Sequence, residues 1–232
     1  MMIKAITFDL DDTLWNVWPV VVRAEQLLHN WLAEHYPGIP AQFTPLDLRE
    51  LCGKVADVQP DIAHDRTLLR KEALRWAAAW VGYTEFDSDA AFGVFFTARN
   101  AVELFGDVRP TLERLARRYS LASLSNGNAD LRLIGLNDLF AFSLNAIDVG
   151  SAKPEPLIFE TARHRLGIQP AEIVHVGDDP DHDVQGGRDA GFRTVWVNRT
   201  DREWPGGARA DAEISGLAEL ERVLGFWENR SV

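Results

Sequence analysis

Residues Ile3 to Phe8 form a short, almost unbroken apolar run that stops at Asp9-Leu10-Asp11-Asp12-Thr13. A run of this kind predicts a strand buried on both faces, so the acids that follow lie at its carboxyl end. From Pro19 the period changes. Val20, Ala24, Leu27, Leu28, Trp31 and Leu32 share one helical face, with proline at a first-turn position, until Tyr36-Pro37-Gly38. Thr44, Pro45 and Asp47 cap a second helix carrying Leu48, Leu51, Cys52 and Val55. A third sets Leu69, Ala73, Trp76 and Trp80 at helical spacing and stops at Gly82. A fourth starts near Asp87-Ser88 and carries Ala91, Phe92, Phe95, Phe96 and Val102. Residues 15–105 are therefore expected to form an all-helical block.

Beyond it, helices and short apolar strands alternate, the signature of a parallel sheet. Helix Arg109 to Arg118 leads into strand Ser120 to Leu124, and helix Ala129 to Leu139 into strand Phe142 to Ile147. Helix Glu155 to Leu166 precedes strand Ile173 to Val176, and a short helix from Asp181 to Ala190 precedes strand Thr194 to Val197. A last short strand at Glu213-Ile214 and a closing helix end the pattern; Pro205-Gly206-Gly207 reads as an exposed loop. The expected fold class is α/β: a Rossmann-like parallel sheet flanked by helices, built from residues 1–14 and 106–232, with the helical domain of 15–105 inserted.

Composition narrows the function classes. With 232 residues, 46% of them hydrophobic, the chain can bury a sizeable core. A formal charge of -11 and a pI near 5.0 argue against nucleic-acid and anionic-membrane partners, which require basic patches. A small anionic substrate stays open, because a local site can override the global field. Cys52 stands alone, so no intrachain disulfide forms, and its place in an amphipathic helical pattern marks it as a core residue. No segment approaches the roughly 18 apolar residues of a membrane span. A soluble, cytoplasmic protein, monomer or homodimer, is expected.

Polar residues recur just past several strand ends: Asp9 and Asp11, then Ser125 and Asn126, then Lys153, then Asp178, Asp179 and Asp183. In a parallel sheet with right-handed crossovers those ends share one edge, so distant residues converge on one crevice. Asp9 and Asp11 are two apart, and an extended strand points both to one side, where one can attack while the other moves protons. Carboxylates sharing a small site repel unless one is protonated or a cation lies between them. Oxygen-only ligation points to Mg²⁺ rather than Zn²⁺. His175 and His182 lie near this edge and are read as structural partners.

Asp9-Leu10-Asp11-Asp12-Thr13, Ser125, Lys153-Pro154 and Gly177-Asp178-Asp179-Pro180-Asp181-His182-Asp183 resemble, in order, the four motifs of the haloacid dehalogenase-like (HAD) hydrolase superfamily. The helical insertion resembles that superfamily's C1-type cap. The resemblance implies a phosphatase in which Asp9 attacks phosphorus to give an aspartyl-phosphate and Asp11 protonates the leaving oxygen, then activates water. It implies Mg²⁺ held by Asp9, the Asp11 backbone carbonyl and Asp178, with Asp179 and Asp183 orienting its surroundings or Lys153. Ser125, Asn126 and Lys153 would bind the phosphoryl group of a small-molecule phosphate ester. The motifs are also similar in wording to bacterial family phosphatases acting on flavin mononucleotide and on 5-amino-6-(5-phospho-D-ribitylamino)uracil. Alternatives within and beyond catalysis are a 2-haloacid dehalogenase, which needs no metal and usually lacks an acid at the position of Asp11, and a non-catalytic HAD-like binding protein. Among the tryptophans, Trp31, Trp76 and Trp80 match core spacing, whereas Trp15 or Trp18 is expected at the substrate entrance.

Overall fold

The opening apolar run forms β1, Ala5–Phe8, which is buried along its whole length. The computed structural model describes residues 2–229. After β1 come four helices, α1 (Val17–His35), α2 (Pro45–Val58), α3 (Arg66–Trp80) and α4 (Ser88–Arg99), and then α5 (Val108–Leu115) and β2 (Ser120–Ser125). The chain continues through α6 (Leu131–Ile134), β3 (Phe142–Asn145), α7 (Ala146–Val149), α8 (Pro156–Leu166) and β4 (Ile173–Gly177). It closes with α9 (Gly186–Asp189), β5 (Arg193–Val197), β6 (Ala212–Ile214) and α10 (Leu220–Asn229).

Among the described residues six strands form one sheet in the order β3-β2-β1-β4-β5-β6, with every pair parallel. This is the α/β, Rossmann-like architecture expected from the alternation of strands and helices. β1 is central, and the strand order reverses beside it, which opens a crevice at the carboxyl ends of β1 and β4. Phe8 is level with Ser123 on one side and Val176 on the other, so the residues that follow all three strands emerge together. α8 covers the sheet by packing Ile158, Phe159 and Ala162 with Leu124, Leu144 and Ile173.

The chain divides into two compact units. The α/β unit runs to Asn16, resumes over Glu103–Gly127 and again from Ile134; the helical unit comprises Val17–Val102 with Asn128–Leu133. The crossings thus lie a few residues inside the 15–105 block read from the sequence. The second piece of the helical unit was not legible as such, because residues 129–139 read as one helix of the α/β part. In the structure, α6 is a single turn, stopped by Gly135 in the left-handed region at φ 77°. The segment before it is tied to the helical unit, with the Asp130 N–H donating to Asn100 Oδ1 at 2.7 Å and Asn128 Nδ2 donating to Thr67 Oγ1 at 3.2 Å.

Two other elements differ from the apolar pattern. The strand expected to reach Ile147 ends at Asn145, whose N–H donates to Asp148 Oδ2 at 2.8 Å as α7 starts instead. The helix expected from Asp181 opens as a turn of π-helix, Pro180–Gln185, with Asp179 accepting the N–H groups of Asp181 and His182.

Within the helical unit, Leu28, Leu32, Leu74, Phe92 and Phe95 make the core, and buried Glu25 is paired with Arg49 and Arg70. A second cluster joins Val55, Leu69 and Ala73, with half-buried Cys52 and Trp76 against it. Burial pushes the Cys52 thiol up, as befits a packed rather than reactive cysteine. Trp80 continues that face of α3 beyond the cluster and is 80% exposed, contrary to the core role its spacing predicts. Among the described residues no helix is long and apolar enough to cross a membrane.

Candidate active site

The Asp9 N–H donates to the Val176 carbonyl at 2.8 Å, extending the ladder between β1 and β4 by one residue. The chain then turns. The Leu14 N–H donates to the Leu10 carbonyl at 2.8 Å, and Asp12 takes the left-handed conformation at φ 59°, which an aspartate adopts more readily than a branched residue. Leu10, Leu14 and Trp15, all fully buried, pull the loop inward. Asp9 and Asp11 do line the same cleft, but they reach it through this turn and not along the extended strand that their spacing predicts.

The cleft, of about 170 Å³, is lined by Asp9, Asp11, Asp12, Asn126, Lys153, Asp178, Asp179, His182 and Asp183. At about 30 Å³ per water in the liquid, that is room for a phosphoryl-sized group beside an ion. Asp9, Asp178 and Asp183 each bring a carboxylate oxygen within 4.8 Å of the others. Lys153, only 3% exposed, donates from Nζ to Asp9 Oδ1 and to Asp183 Oδ1, both at 2.6 Å. Asp183 also accepts from His175 Nε2 at 3.0 Å and, through Oδ2, from the Asp179 N–H at 3.0 Å. Both of its oxygens are thus committed to protein donors, which suits a residue that orients Lys153.

Electrostatics follow from this packing. Burial alone would lower the Lys153 ammonium, but the Asp183 and Asp9 carboxylates outweigh it and hold its pKa above the ordinary value. Burial would raise Asp183, yet Lys153 and His175 keep it well below the usual carboxylate range. Asp9 goes the other way: burial, reinforced by Asp183 and Asp178, lifts its pKa against the pull of Lys153. Asp178 is pushed up to about 7 by burial and then by Asp183 and Asp12, with Arg202 opposing. Three carboxylates therefore face one ammonium, an excess of negative charge that a cation among them would relieve. The all-oxygen donor set fits a hard divalent ion such as Mg²⁺.

The other expected site residues are placed as follows. Ser125 ends β2 and is 1% exposed; it does not line the cleft, and its Oγ accepts the Gly127 N–H at 3.0 Å. A hydroxyl that accepts still has its own hydrogen to donate. Asn126 does line the cleft, but its carboxamide clamps the Lys153 main chain, accepting from the N–H at 2.7 Å and donating to the carbonyl at 2.9 Å. It therefore holds Lys153 in place, a role its sequence position did not reveal. Asp179 caps the π-helical turn with its side chain. Trp15 is buried, with its indole Nε1 2.9 Å from Asp11 Oδ1, so it does not stand at an entrance. Trp18 is 57% exposed under the Arg49 guanidinium.

Sequence reasoning gives no site role to Thr13 or Arg202, and reads His175 only as a structural partner. Thr13 Oγ1 lies 3.3 Å from Asp9 Oδ2 and 3.4 Å from Asp178 Oδ1, bridging two strand ends. His175 is buried beside Thr7, with Nδ1 2.8 Å from the Thr7 hydroxyl, and burial lowers its pKa. A polar residue inside each of two apolar runs, Ile-Thr-Phe and Val-His-Val at matching register, was the available signal. Arg202 donates to the Asp178 carbonyl at 2.9 Å from a loop that carries no periodic signal.

Gly177 closes β4 where the Asp183 carboxylate approaches the backbone. A Cβ there would lie 2.2 Å from Asp183 Cγ and Oδ2, atoms that Lys153, His175 and the Asp179 N–H hold in place. Gly177→Ala is therefore expected to cost about 1–3 kcal/mol of stability and to displace Asp183. Thermal unfolding checks this: a drop of about 2–4 °C per kcal/mol is expected for a chain of this size, and an unchanged midpoint contradicts it.

Comparisons with known proteins place the chain in a family. Residues 3–191 match the family model of haloacid dehalogenase-like hydrolases. The 5-amino-6-(5-phospho-D-ribitylamino)uracil phosphatase YigB of Escherichia coli (strain K12) is 32% identical over 230 residues, covering 96% of this chain and 96% of that protein. An (S)-2-haloacid dehalogenase of Pseudomonas sp. (strain YL) is 30% identical over 239 residues, 96% of this chain and 94% of that one. A crystal structure of a 2-haloacid dehalogenase from Pseudomonas syringae pv. Tomato DC3000 matches with a TM-score of 0.90 at 41% identity, covering 97% of this chain and 100% of that one.

Proposed function

The chain belongs to the haloacid dehalogenase-like hydrolase family, and from that premise we propose that it is a Mg²⁺-dependent phosphatase of small-molecule phosphate monoesters, acting through an aspartyl-phosphate on Asp9. The observation that carries the reading is the meeting of Asp9, Asp11, Asp178, Asp183 and Lys153 in one cleft. Asp9, Asp178 and the main chain of Asp11 would hold the ion. Bound there, a hard divalent cation neutralises charge between an anionic nucleophile and an anionic phosphoryl group.

The residues divide the work as their chemistry dictates. The Asp9 carboxylate forms a bond to phosphorus while the ester P–O bond breaks, and the leaving oxygen takes a proton from Asp11. Asp11 then accepts a proton from the water that attacks phosphorus and releases Asp9. Lys153 balances the charge that builds on the transferring group. Asp183, bound to Lys153, keeps the ammonium aimed.

A 2-haloacid dehalogenase is the second reading, favoured by the Pseudomonas syringae structure. There Asp9 would attack carbon and halide would leave. Halide departs as an anion and needs no proton, whereas an alkoxide does, so Asp11 in the cleft supports the phosphatase reading. Hydrolysis of 4-nitrophenyl phosphate that requires Mg²⁺ and stops on chelation is the expected result. Metal-independent halide release from 2-chloropropionate, without phosphatase activity, would reverse the assignment.

Asp11→Asn is expected to lower kcat on an alkyl phosphate by about 10² to 10⁴-fold. A loss below about tenfold would remove Asp11 from proton transfer. For the substrate, the E. coli relative supports 5-amino-6-(5-phospho-D-ribitylamino)uracil, with flavin mononucleotide as the related candidate. A panel of phosphate monoesters at fixed Mg²⁺ ranks them by kcat/KM.

A further inference from the structure

Trp15 takes no part in the chemistry described above, yet it is tied to it. Its side chain is fully buried, and its indole Nε1 donates to Asp11 Oδ1 at 2.9 Å. Its backbone is fixed as well: its carbonyl accepts the Asp12 N–H at 2.8 Å, and it bridges both Asp11 and Leu104. On its N-terminal side, the Leu14 carbonyl accepts the Phe105 N–H at 3.0 Å. An indole so enclosed cannot follow a side chain that swings. Asp11, by contrast, is partly exposed and turns about two bonds at the edge of an open cleft.

Chemistry then distinguishes the two oxygens of Asp11. An indole nitrogen only donates, so Asp11 Oδ1 accepts in this bond, and an unprotonated carbonyl-type oxygen accepts better than a protonated one. The bond thus favours a proton on Oδ2.

We infer that Trp15 is the positioning residue for the acid-base group: its indole N–H holds Asp11 so that Oδ2 gives a proton to the leaving oxygen and later takes one from water. In the first step the Oδ2–H bond breaks as the leaving oxygen gains that proton and the electron pair of the broken P–O bond. In the second, a water O–H bond breaks, its proton returns to Oδ2, the water oxygen bonds to phosphorus, and Asp9 departs with its electron pair. The inference rests on the phosphatase reading.

Trp15→Phe keeps the ring and removes the donor. On a phosphate ester of a simple alcohol, kcat/KM is expected to fall on the order of tenfold or more. On 4-nitrophenyl phosphate, whose phenolate leaves without a proton, kcat/KM should stay within about twofold, while kcat, which includes the attack of water on the shared intermediate, falls. In an Asp11→Asn background the same substitution should add nothing on either ester, because the group it positions is gone. Site-specific replacement of Trp15 by 3-benzothienylalanine, which has the indole shape without the N–H, repeats the test should phenylalanine disturb folding. Equal losses of kcat/KM on both esters, or a Trp15 effect that survives in the Asp11→Asn background, would overturn the assignment. Failure of the phosphatase reading looks different, since the unsubstituted protein would then hydrolyse neither ester.

Discussion

Asp9→Asn is expected to lower kcat for phosphate-ester hydrolysis by at least about 10⁴-fold, because a neutral amide cannot form the acyl phosphate on which the second half-reaction depends. The substitution is nearly isosteric, and the fold should survive it. Burial and two neighbouring carboxylates already make ionised Asp9 unfavourable, against the pull of Lys153. Removing that charge relieves the site, and Lys153 keeps Asp183 as a partner at 2.6 Å. The unfolding midpoint in chelator is therefore expected to hold or to rise, the pattern of a site whose function is maintained at a cost in stability. Steady-state kinetics and thermal unfolding check both halves. Turnover within about tenfold of the parent would contradict the nucleophile assignment.

Lys153→Met should be the most damaging single substitution for stability. The ammonium is buried and shared by two carboxylates, so its loss strands Asp9 and Asp183 in the interior without their cationic partner. Breaking a buried ion pair from one side costs roughly 3–5 kcal/mol. At about 2–4 °C per kcal/mol, the midpoint should fall on the order of 10 °C in chelator. Mg²⁺ should restore part of the loss, since a ligand that binds only the folded state stabilises it. Activity should fall by about 10² to 10³-fold, the usual cost of losing one group that stabilises transition-state charge. A midpoint unchanged within a degree or two would mean that Lys153 does not hold the carboxylates together.

Much of this molecule could be read from its sequence because strong local signals coincide with the fold. Ile3 to Phe8 and Ile173 to Val176 are apolar because β1 and β4 are buried on both faces, and that burial puts Asp9 and Asp178 side by side. Short contacts between distant parts were not legible. Nothing in the 128–133 stretch announces that Asn128 and Asp130 bind Thr67 and Asn100, and so join the helical unit. Asn126 looked like a substrate ligand because it follows a strand end, yet its amide is used on the Lys153 backbone. Trp15 shows the same limit from the other side. A tryptophan after a catalytic loop suggests an entrance, whereas three-dimensional packing buries it under Asp11. Periodicity reports which face is apolar; it does not report which polar atom each buried donor finds.

Central to the account is transfer of a phosphoryl group to Asp9. Acid-quenched turnover of a phosphate ester, followed by mass spectrometry of the peptide that spans Asp9, tests it most directly. One added phosphoryl group is expected on Asp9, formed with Mg²⁺ present, absent with chelator and absent from Asp9→Asn. Steady turnover with no such adduct on that peptide, or an adduct on another residue, would contradict it.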